Sequence, residues 1–286
     1  MSAERGDEII NRYLTTDCYN TVKNTPATAG RSALIGYTGL VGTNLVRQHP
    51  FDDLYNSSNI EQIVGNHYEL LVCSGVSGTK WIANMDPERD KANIAGLMDK
   101  LKKVKSDRLV LISTVDVYGN PDQVDEDSPI DFTLQTPYGR HRHQFEQMVC
   151  DYFPHVLTVR LPAIYGWGLK KNALYDLMHD HEVEKINPEA VYQFYWLEHI
   201  WRDIQQALLS NLTLVNFATE PIGIRLVAKE IFGIELSGKS MSPAATYDFR
   251  TKYGSLFGGA NGYLYDKSTV IEEIRSFITQ QQIDGL

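Results

Sequence analysis

The sequence predicts an α/β fold, a doubly wound parallel sheet with a smaller C-terminal part. Two observations predict it. Short, continuously apolar runs alternate with amphipathic helical stretches, the rhythm of β-α units whose strands are buried on both faces. The first of those runs, Ala33-Leu34-Ile35, also enters a glycine-spaced turn, Gly36-Tyr37-Thr38-Gly39-Leu40-Val41-Gly42, and then the helix-like stretch Thr43 to Arg47. Gly36 permits a sharp exit from the strand, Gly39 lets backbone approach a ligand closely, and Gly42 lets helix and strand pack. A helix start behind such a turn offers unpaired N–H groups to a diphosphate. The spacing alone also describes an ordinary turn; the strand before it and the helix after it favour the dinucleotide reading.

Composition narrows the class. The chain has 286 residues, 43% hydrophobic and 22% charged, ordinary values for one large globular unit or slightly more. A net charge of −9 and a pI near 5.4 offer no basic stripe for nucleic acid. The only dense basic run, Lys100, Lys102, Lys103 and Lys105, reads as a solvated helix end. Cys18, Cys73 and Cys150 lie far apart without metal or disulfide spacing. No apolar run reaches membrane-spanning length, and the N-terminus lacks a signal-peptide core, so a cytoplasmic protein with no membrane partner is expected.

In chain order, residues 1–29 read as a polar leader with a short helix at 8–14. Phe51 to Ser58 predicts the second strand and its exit. About 20 residues past the first glycine, such folds place an acid on the adenosine ribose. Here Asn56, Ser57 and Ser58 stand there, neutral groups that tolerate a 2′-phosphate and so favour NADP over NAD, or form a polar turn that touches nothing. Glu69 to Cys73 predicts a strand ending in the small residues Ser74 and Gly75, and Pro87 to Lys105 a helix with Ile94, Leu97, Met98 and Leu101 on one face. Arg108 to Thr114 is another buried strand. Ligands bind at the carboxyl ends of such strands, which places Ser113, Thr114 and Asp116 well. After a turn-rich acidic loop, Pro137 to Val149 predicts a helix with Tyr138, Arg142, Phe145 and Val149 on one face, and His155 to Pro162 a strand. Helices are expected over 173–185, 198–210, 222–232 and 270–278, with a strand at 213–217. Trp167, Trp196 and Trp201 suit either a cleft lining or a core.

Taken together, these motifs resemble the extended short-chain dehydrogenase/reductases, the NAD-dependent epimerase/dehydratase family, over roughly residues 32–278. They run in the family's order: the glycine turn; Asn93 in Asn-Ile-Ala-Gly; Ser113-Thr114-Val115-Asp116-Val117-Tyr118-Gly119; Pro137-Tyr138-Gly139; Arg160 to Gly166; Phe194 to Ile200; Asn216-Phe217-Ala218. The resemblance implies a Rossmann-like domain (30–165 and 191–218), a substrate-binding part (166–190 and 219–286), an NAD or NADP cofactor, a sugar-like substrate and a homodimer through helices near 90–104 and 138–151. It implies cofactor contacts from Gly36, Thr38, Gly39, Leu40, Val41, Gly42, Asn56, Ser57, Ser58, Cys73, Ser74, Gly75, Asn93, Ile112, Ser113, Tyr138, Arg142, Pro162 and Ile164. Substrate contacts fall on Val76, Thr114, Asp116 and Ala163. Thr114 would hold the substrate oxygen and Tyr138 would carry its proton.

Three departures bear on the chemistry. The family's lysine four residues after the tyrosine is Arg142 here, which keeps the charge but not the shape or the exchangeable proton. It is expected to lower the Tyr138 pKa and to hold ribose hydroxyls; His141 and His143 beside it read as solvent-facing. Val115 stands where sugar dehydratases of this family carry an acid, which argues against 4,6-dehydration. Ala163 replaces an asparagine common in nucleotide-sugar enzymes. The span from Asn56 to Cys73 is short for the family, which predicts a truncated strand or crossover. A chain that binds the cofactor without turnover, as sensor or scaffold, is the rival reading.

Overall fold

The computed structural model describes residues 30–237 and 244–284. The leader at 1–29, its short helix and Cys18 lie outside the described residues. Six parallel strands form the central sheet: β1 (Ser32–Ile35), β2 (Asp53–Tyr55), β3 (His67–Cys73), β4 (Lys105–Thr114), β5 (Val156–Leu161) and β9 (Leu214–Asn216). Their order is β2-β1-β3-β4-β5-β9. Apolar side chains alternate between the two faces, as the strand period of two requires. Leu34, Val72, Val110 and Val159 pack toward α1 (Leu40–Gln48) and α6 (Ile200–Leu209). Ala33, Ile35, Leu71, Leu109 and Leu111 pack toward α3 (Pro87–Leu101) and α4 (Pro137–Tyr152).

The shortened span is visible as a missing layer. β2 and β3 flank β1 on opposite sides, yet residues 56–66 join them with a single 3-10 turn, Ile60–Ile63. β2 is therefore the sheet edge. The sequence places several other elements closely and misses some ends. α3 stops at Leu101, and Lys105 opens β4 instead of closing the helix. A six-residue helix, α2 (Lys80–Met85), was not expected. The helix expected over 173–185 is α5 (Ala173–His179). Asp180 and Glu182 take left-handed backbone and end it.

The later lobe has its own apolar core of Tyr165, Leu174, Phe194, Ile224, Ile274 and Phe277. It is built on α5, β6 (Ala163–Tyr165), which pairs with β8 (Phe194–Trp196), and the antiparallel pair β7 (Val191–Tyr192) and β10 (Ile222–Gly223). The short α7 (Ile224–Val227) continues as a wide turn to Phe232, and α8 (Lys267–Asp284) closes the lobe. β8 joins the two units: Phe194 faces the lobe core, Tyr195 the sheet core. Trp201 belongs to the sheet side, stacked on His49 with ring centroids 3.9 Å apart, and is core and not cleft lining. No described helix is long and apolar enough to cross a membrane.

Candidate active site

The turn after β1 has the geometry its glycines imply. Gly36 sits at φ +88°, and its N–H donates to the Tyr55 carbonyl at 2.7 Å. A Cβ on Gly42 would lie 2.1 Å from the Gly36 oxygen, so only glycine lets α1 approach the strand this closely. Gly39 differs: an added Cβ would meet only that oxygen, at 3.4 Å, and the position is exposed. Gly39 is also the N-cap of α1, and no side chain caps the helix. The first turn thus keeps backbone donors and a partial positive charge beside an open position, which fits a diphosphate. Thr38 is exposed here, whereas Leu40 and Val41 pack partly into the sheet core.

Around this turn the ends of β2 and β3 contribute a second rim. Asn56 donates to the Tyr37 hydroxyl at 3.2 Å, and its carbonyl accepts from the Ser58 N–H at 2.8 Å. Ser57 and Ser58 are exposed, and residues 56–59 carry no charge. Cys73 is fully buried, its thiol pushed up to about 11 by burial, so its side chain belongs to the core. Both the N–H and hydroxyl of Ser74 donate to the Ile35 carbonyl at 2.9 Å. Gly75 lies against the Ile35 side chain, Val76 packs on the α3 side, and Pro162, Ala163 and Ile164 are half-buried beyond β5. Ile112 packs toward α1 and α6. Asn93 is exposed on α3 and makes no side-chain hydrogen bond among the described residues.

β4 delivers Ser113 and Thr114 at its carboxyl end, with Asp116 in the turn that follows. Ser113 turns its hydroxyl inward, donating to Glu146 at 2.5 Å; Glu146 in turn forms a buried two-point pair with Arg160 (3.0 and 2.7 Å). Thr114 caps the 3-10 turn Val115–Tyr118, accepting from the Asp116 N–H at 3.2 Å. The start of α4 packs on that turn, since a Cβ on Gly139 would sit 2.2 Å from the Asp116 carbonyl. This brings Tyr138 to Thr114. The Tyr138 N–H also donates to Asn84 of α2 at 3.0 Å.

Arg142 is where the structure departs from one expectation, that its side chain is free to hold ribose hydroxyls. Its guanidinium stacks over the Tyr138 ring at 3.8 Å, yet all four terminal N–H groups are committed to the protein. Two bind Asp90 (2.7 and 2.9 Å), one the Ser77 carbonyl (2.6 Å) and one the Tyr138 carbonyl (3.1 Å). Both partners are more than nine-tenths buried. Burial opposes ionisation of Asp90, but the bonds from Arg142 and His141 outweigh it and hold the carboxyl below its usual range. Arg142 pulls the Tyr138 pKa down, as its place on the helix implies, but burial of the phenol outweighs it. Burial raises the phenol; Arg142 opposes, Asp116 adds to the rise, and Lys80 and a hydrogen bond from Thr114 only partly offset it. Tyr138 therefore titrates above an ordinary tyrosine.

The reading of His141 and His143 as solvent-facing is also overturned. Both are buried, because α4 is packed by α3 on one side and by the acidic loop on another. His141 Nδ1 lies 2.8 Å from Asp90, and His143 stacks on Phe132.

One cation was missed. Lys80 Nζ reaches Asp116 Oδ1 at 2.7 Å, and Tyr247 from the later lobe donates to the same oxygen at 3.3 Å. Nothing in the sequence tied Lys80 to a residue so far along the chain. Among the described residues, no group of three His, Cys, Asp or Glu side chains is placed to hold a metal.

Residues 51–192 match the model of the NAD dependent epimerase/dehydratase family. No curated protein sequence matches the chain. The fold is similar to UDP-glucose 4-epimerase of Thermotoga maritima, solved with UDP-glucose (TM-score 0.65, 13% identity, covering 90% of this chain and 100% of that one). It is similar to an NAD-dependent NDP-hexosamine 5,6-dehydratase of tunicamycin biosynthesis (0.70, 17%, 88% and 98%). It is also similar to dTDP-4-dehydrorhamnose reductase of Bacillus anthracis, solved with NADP (0.68, 14%, 90% and 100%). The parallel sheet and the Thr114/Tyr138 pair agree with that match, and residues 51–192 form a domain of the NAD-dependent epimerase/dehydratase family.

Proposed function

We propose that the chain is an NAD(P)-dependent oxidoreductase or epimerase of a sugar or nucleotide-sugar type substrate, acting by 4-keto reduction or C4 epimerisation. The observation that carries this is the convergence of Thr114 and Tyr138 at the end of β4, on the same edge of the parallel sheet as the open Gly39 turn after β1. The backbone donors of residues 39–42 would hold the diphosphate. When bound, the nicotinamide accepts or supplies the hydride. The chain's own part is orientation and the proton. Thr114 fixes the substrate oxygen, and Tyr138 donates a proton to a ketone oxygen or takes one from the matching hydroxyl. A raised Tyr138 pKa keeps the phenol protonated near neutrality, which favours the donating direction, ketone reduction.

The test is oxidation of NADPH or NADH with a panel of keto sugars, with Tyr138→Phe as control. Turnover that this variant abolishes while cofactor still binds is expected; equal turnover in both proteins refutes the assignment. The rival, a binding protein without turnover, is favoured by one observation, the complete engagement of Arg142 by Asp90. It predicts cofactor binding with no oxidation across the whole panel.

A homodimer through α3 and α4 is part of the same reading. An open groove of about 410 Å³ runs between these helices, lined by Ile94, Ala95 and Met148 among polar neighbours. Light scattering at twice the 32.4 kDa chain mass is expected, and a monomer would exclude it.

A further inference from the structure

We propose that Lys80 is a second cation acting on Tyr138 beside Arg142: it is the one on the open side of the tyrosine, held there by Asp116 and able to respond to what binds. The inference rests on the catalytic reading of Tyr138 above. It starts from the contrast between two ion pairs. Arg142–Asp90 is closed: both side chains are buried and all four terminal guanidinium N–H groups have protein acceptors. A pair so enclosed cannot turn toward a ligand without leaving a buried carboxylate alone. Lys80–Asp116 is open. The Lys80 side chain is 43% exposed and that of Asp116 19%. An ammonium has three donors. One goes to Asp116 at 2.7 Å and one, weakly, to the Tyr247 hydroxyl at 3.4 Å; among the described residues the third has no acceptor.

The surroundings place this charge at the reacting groups and not merely on the surface. Asp116 also touches Thr114, which lies 3.5 Å from its second oxygen. α2, which begins at Lys80, ends near Asn84, the acceptor of the Tyr138 N–H. Tyr138 is therefore faced by Arg142 from its own helix, by Thr114 and Asp116 from the end of β4 and its 3-10 turn, and by Lys80 from α2. Asp90 and His141 stand behind Arg142. Lys80 itself is faced by Asp116, Tyr247 and Tyr192, with Lys171 one residue away on the Thr79 hydroxyl. Burial works against its charge, but Asp116 and Tyr247 outweigh burial, so it stays an ammonium at any working pH. Because Tyr247 belongs to the later lobe, a substrate that engages Tyr247 or Asp116 changes how much of the Lys80 charge Tyr138 feels. Lys80 is on this account a positioning residue that acts through Tyr138.

The test needs neither substrate nor cofactor. The full chain is labelled with 3-fluorotyrosine, the Tyr138 resonance is assigned with Tyr138→Phe, and its ionisation is followed by fluorine NMR. Lys80→Met is expected to move the Tyr138 titration up by about one pH unit, Lys80→Arg to restore it, and Asp116→Asn to move it down. A Tyr138 titration that is the same in wild type and Lys80→Met overturns the inference. So does recovery failing in Lys80→Arg, since lost packing would then explain the first result. Dinucleotide binding, measured separately by fluorescence, separates this from the proposed function. Absent binding with a Lys80-dependent titration removes that function alone, whereas intact binding with a Lys80-independent titration removes this inference alone.

Discussion

Two glycines of the turn after β1 should respond to substitution with opposite signs, and the structure says why. Gly39 has extended backbone (φ −79°, ψ 167°), the conformation of an N-cap, and no side chain caps α1. Gly39→Asp places an aspartate where N-cap residues prefer to be, with room for its Cβ, so the fold should be kept or stabilised by a few tenths of a kcal/mol. The same carboxylate takes the helix donors and puts a negative charge beside the diphosphate. Two unit charges about 5 Å apart at an effective dielectric of about 20 repel by about 3 kcal/mol, a loss of about two orders of magnitude in affinity. Gly42→Ala acts on the fold. Its Cβ would sit 2.1 Å from the Gly36 oxygen and 2.7 Å from Tyr37 Cα, both backbone. Such overpacking costs about 2 kcal/mol, a fall in Tm of about 4–8 °C for a chain of this size. Quenching of NADPH and NADH fluorescence gives the affinities, and thermal melts by circular dichroism give stability. NADPH should bind more tightly than NADH, because residues 56–59 carry no carboxylate to repel a 2′-phosphate. Wild-type affinity in Gly39→Asp would refute the diphosphate assignment, and a wild-type melt in Gly42→Ala would refute the packing argument.

Removing Arg142 should cost stability as well as chemistry: Arg142→Ala leaves Asp90 buried with only His141 beside it, a loss of about 3 kcal/mol in urea unfolding, and Arg142→Lys should recover only part because it cannot bind the carboxylate at two points. An Arg142→Ala midpoint equal to wild type would show the pair to be neutral. His49 is held at about 4, against an ordinary 6.5, because burial disfavours its charged form. Protons then bind the unfolded chain more readily, so its contribution is fully present above about pH 6.5 and is lost as pH falls toward about 4. Comparing melts at pH 7 and 5 checks this: His49→Phe should lessen the acid loss, and an unchanged loss would assign it to other groups.

What the sequence made legible was local. A strand, a glycine turn and a helix follow one another without interruption, so the Gly36–Gly42 turn and the Thr114/Tyr138 elements were readable from spacing. The shortened crossover was legible through the family resemblance, as a span from Asn56 to Cys73 that is short for the family. Pairings made across the chain were not. Asp90 binds Arg142 across 52 positions, and Lys80 binds Asp116 across 36. One signal was nevertheless present. Asp90 stands four residues before Ile94 on the apolar face of α3, and a carboxylate on a buried face requires a partner. Arg160, inside the buried strand β5, announced Glu146 in the same way. α2 carried no such signal, since Trp81, Ile82 and Met85 are exposed and six residues give no helical period.

The exchange of lysine for arginine on α4 is best understood through the carboxylate it meets. A guanidinium offers two parallel donors, and Asp90 accepts both, with Ser77 and Tyr138 carbonyls taking the remaining terminal pair. That geometry locks α3, α4 and the loop after β3 together, and it matches the positive charge where the family resemblance calls for one to act. Asp116 and Lys80 form a second ion pair that acts on Tyr138. Arg142 and Lys80 lower the phenol's pKa and Asp116 raises it, and burial outweighs the two cations, so the pKa rises. The net effect is a Tyr138 phenol kept protonated at rest. Of the two pairs Lys80–Asp116 is the more exposed, so on the proposed reading a bound ligand changes Tyr138's proton affinity from that side. The Arg142–Asp90 pair, enclosed behind the ring, holds a guanidinium 3.8 Å over it and gives it a fixed downward pull.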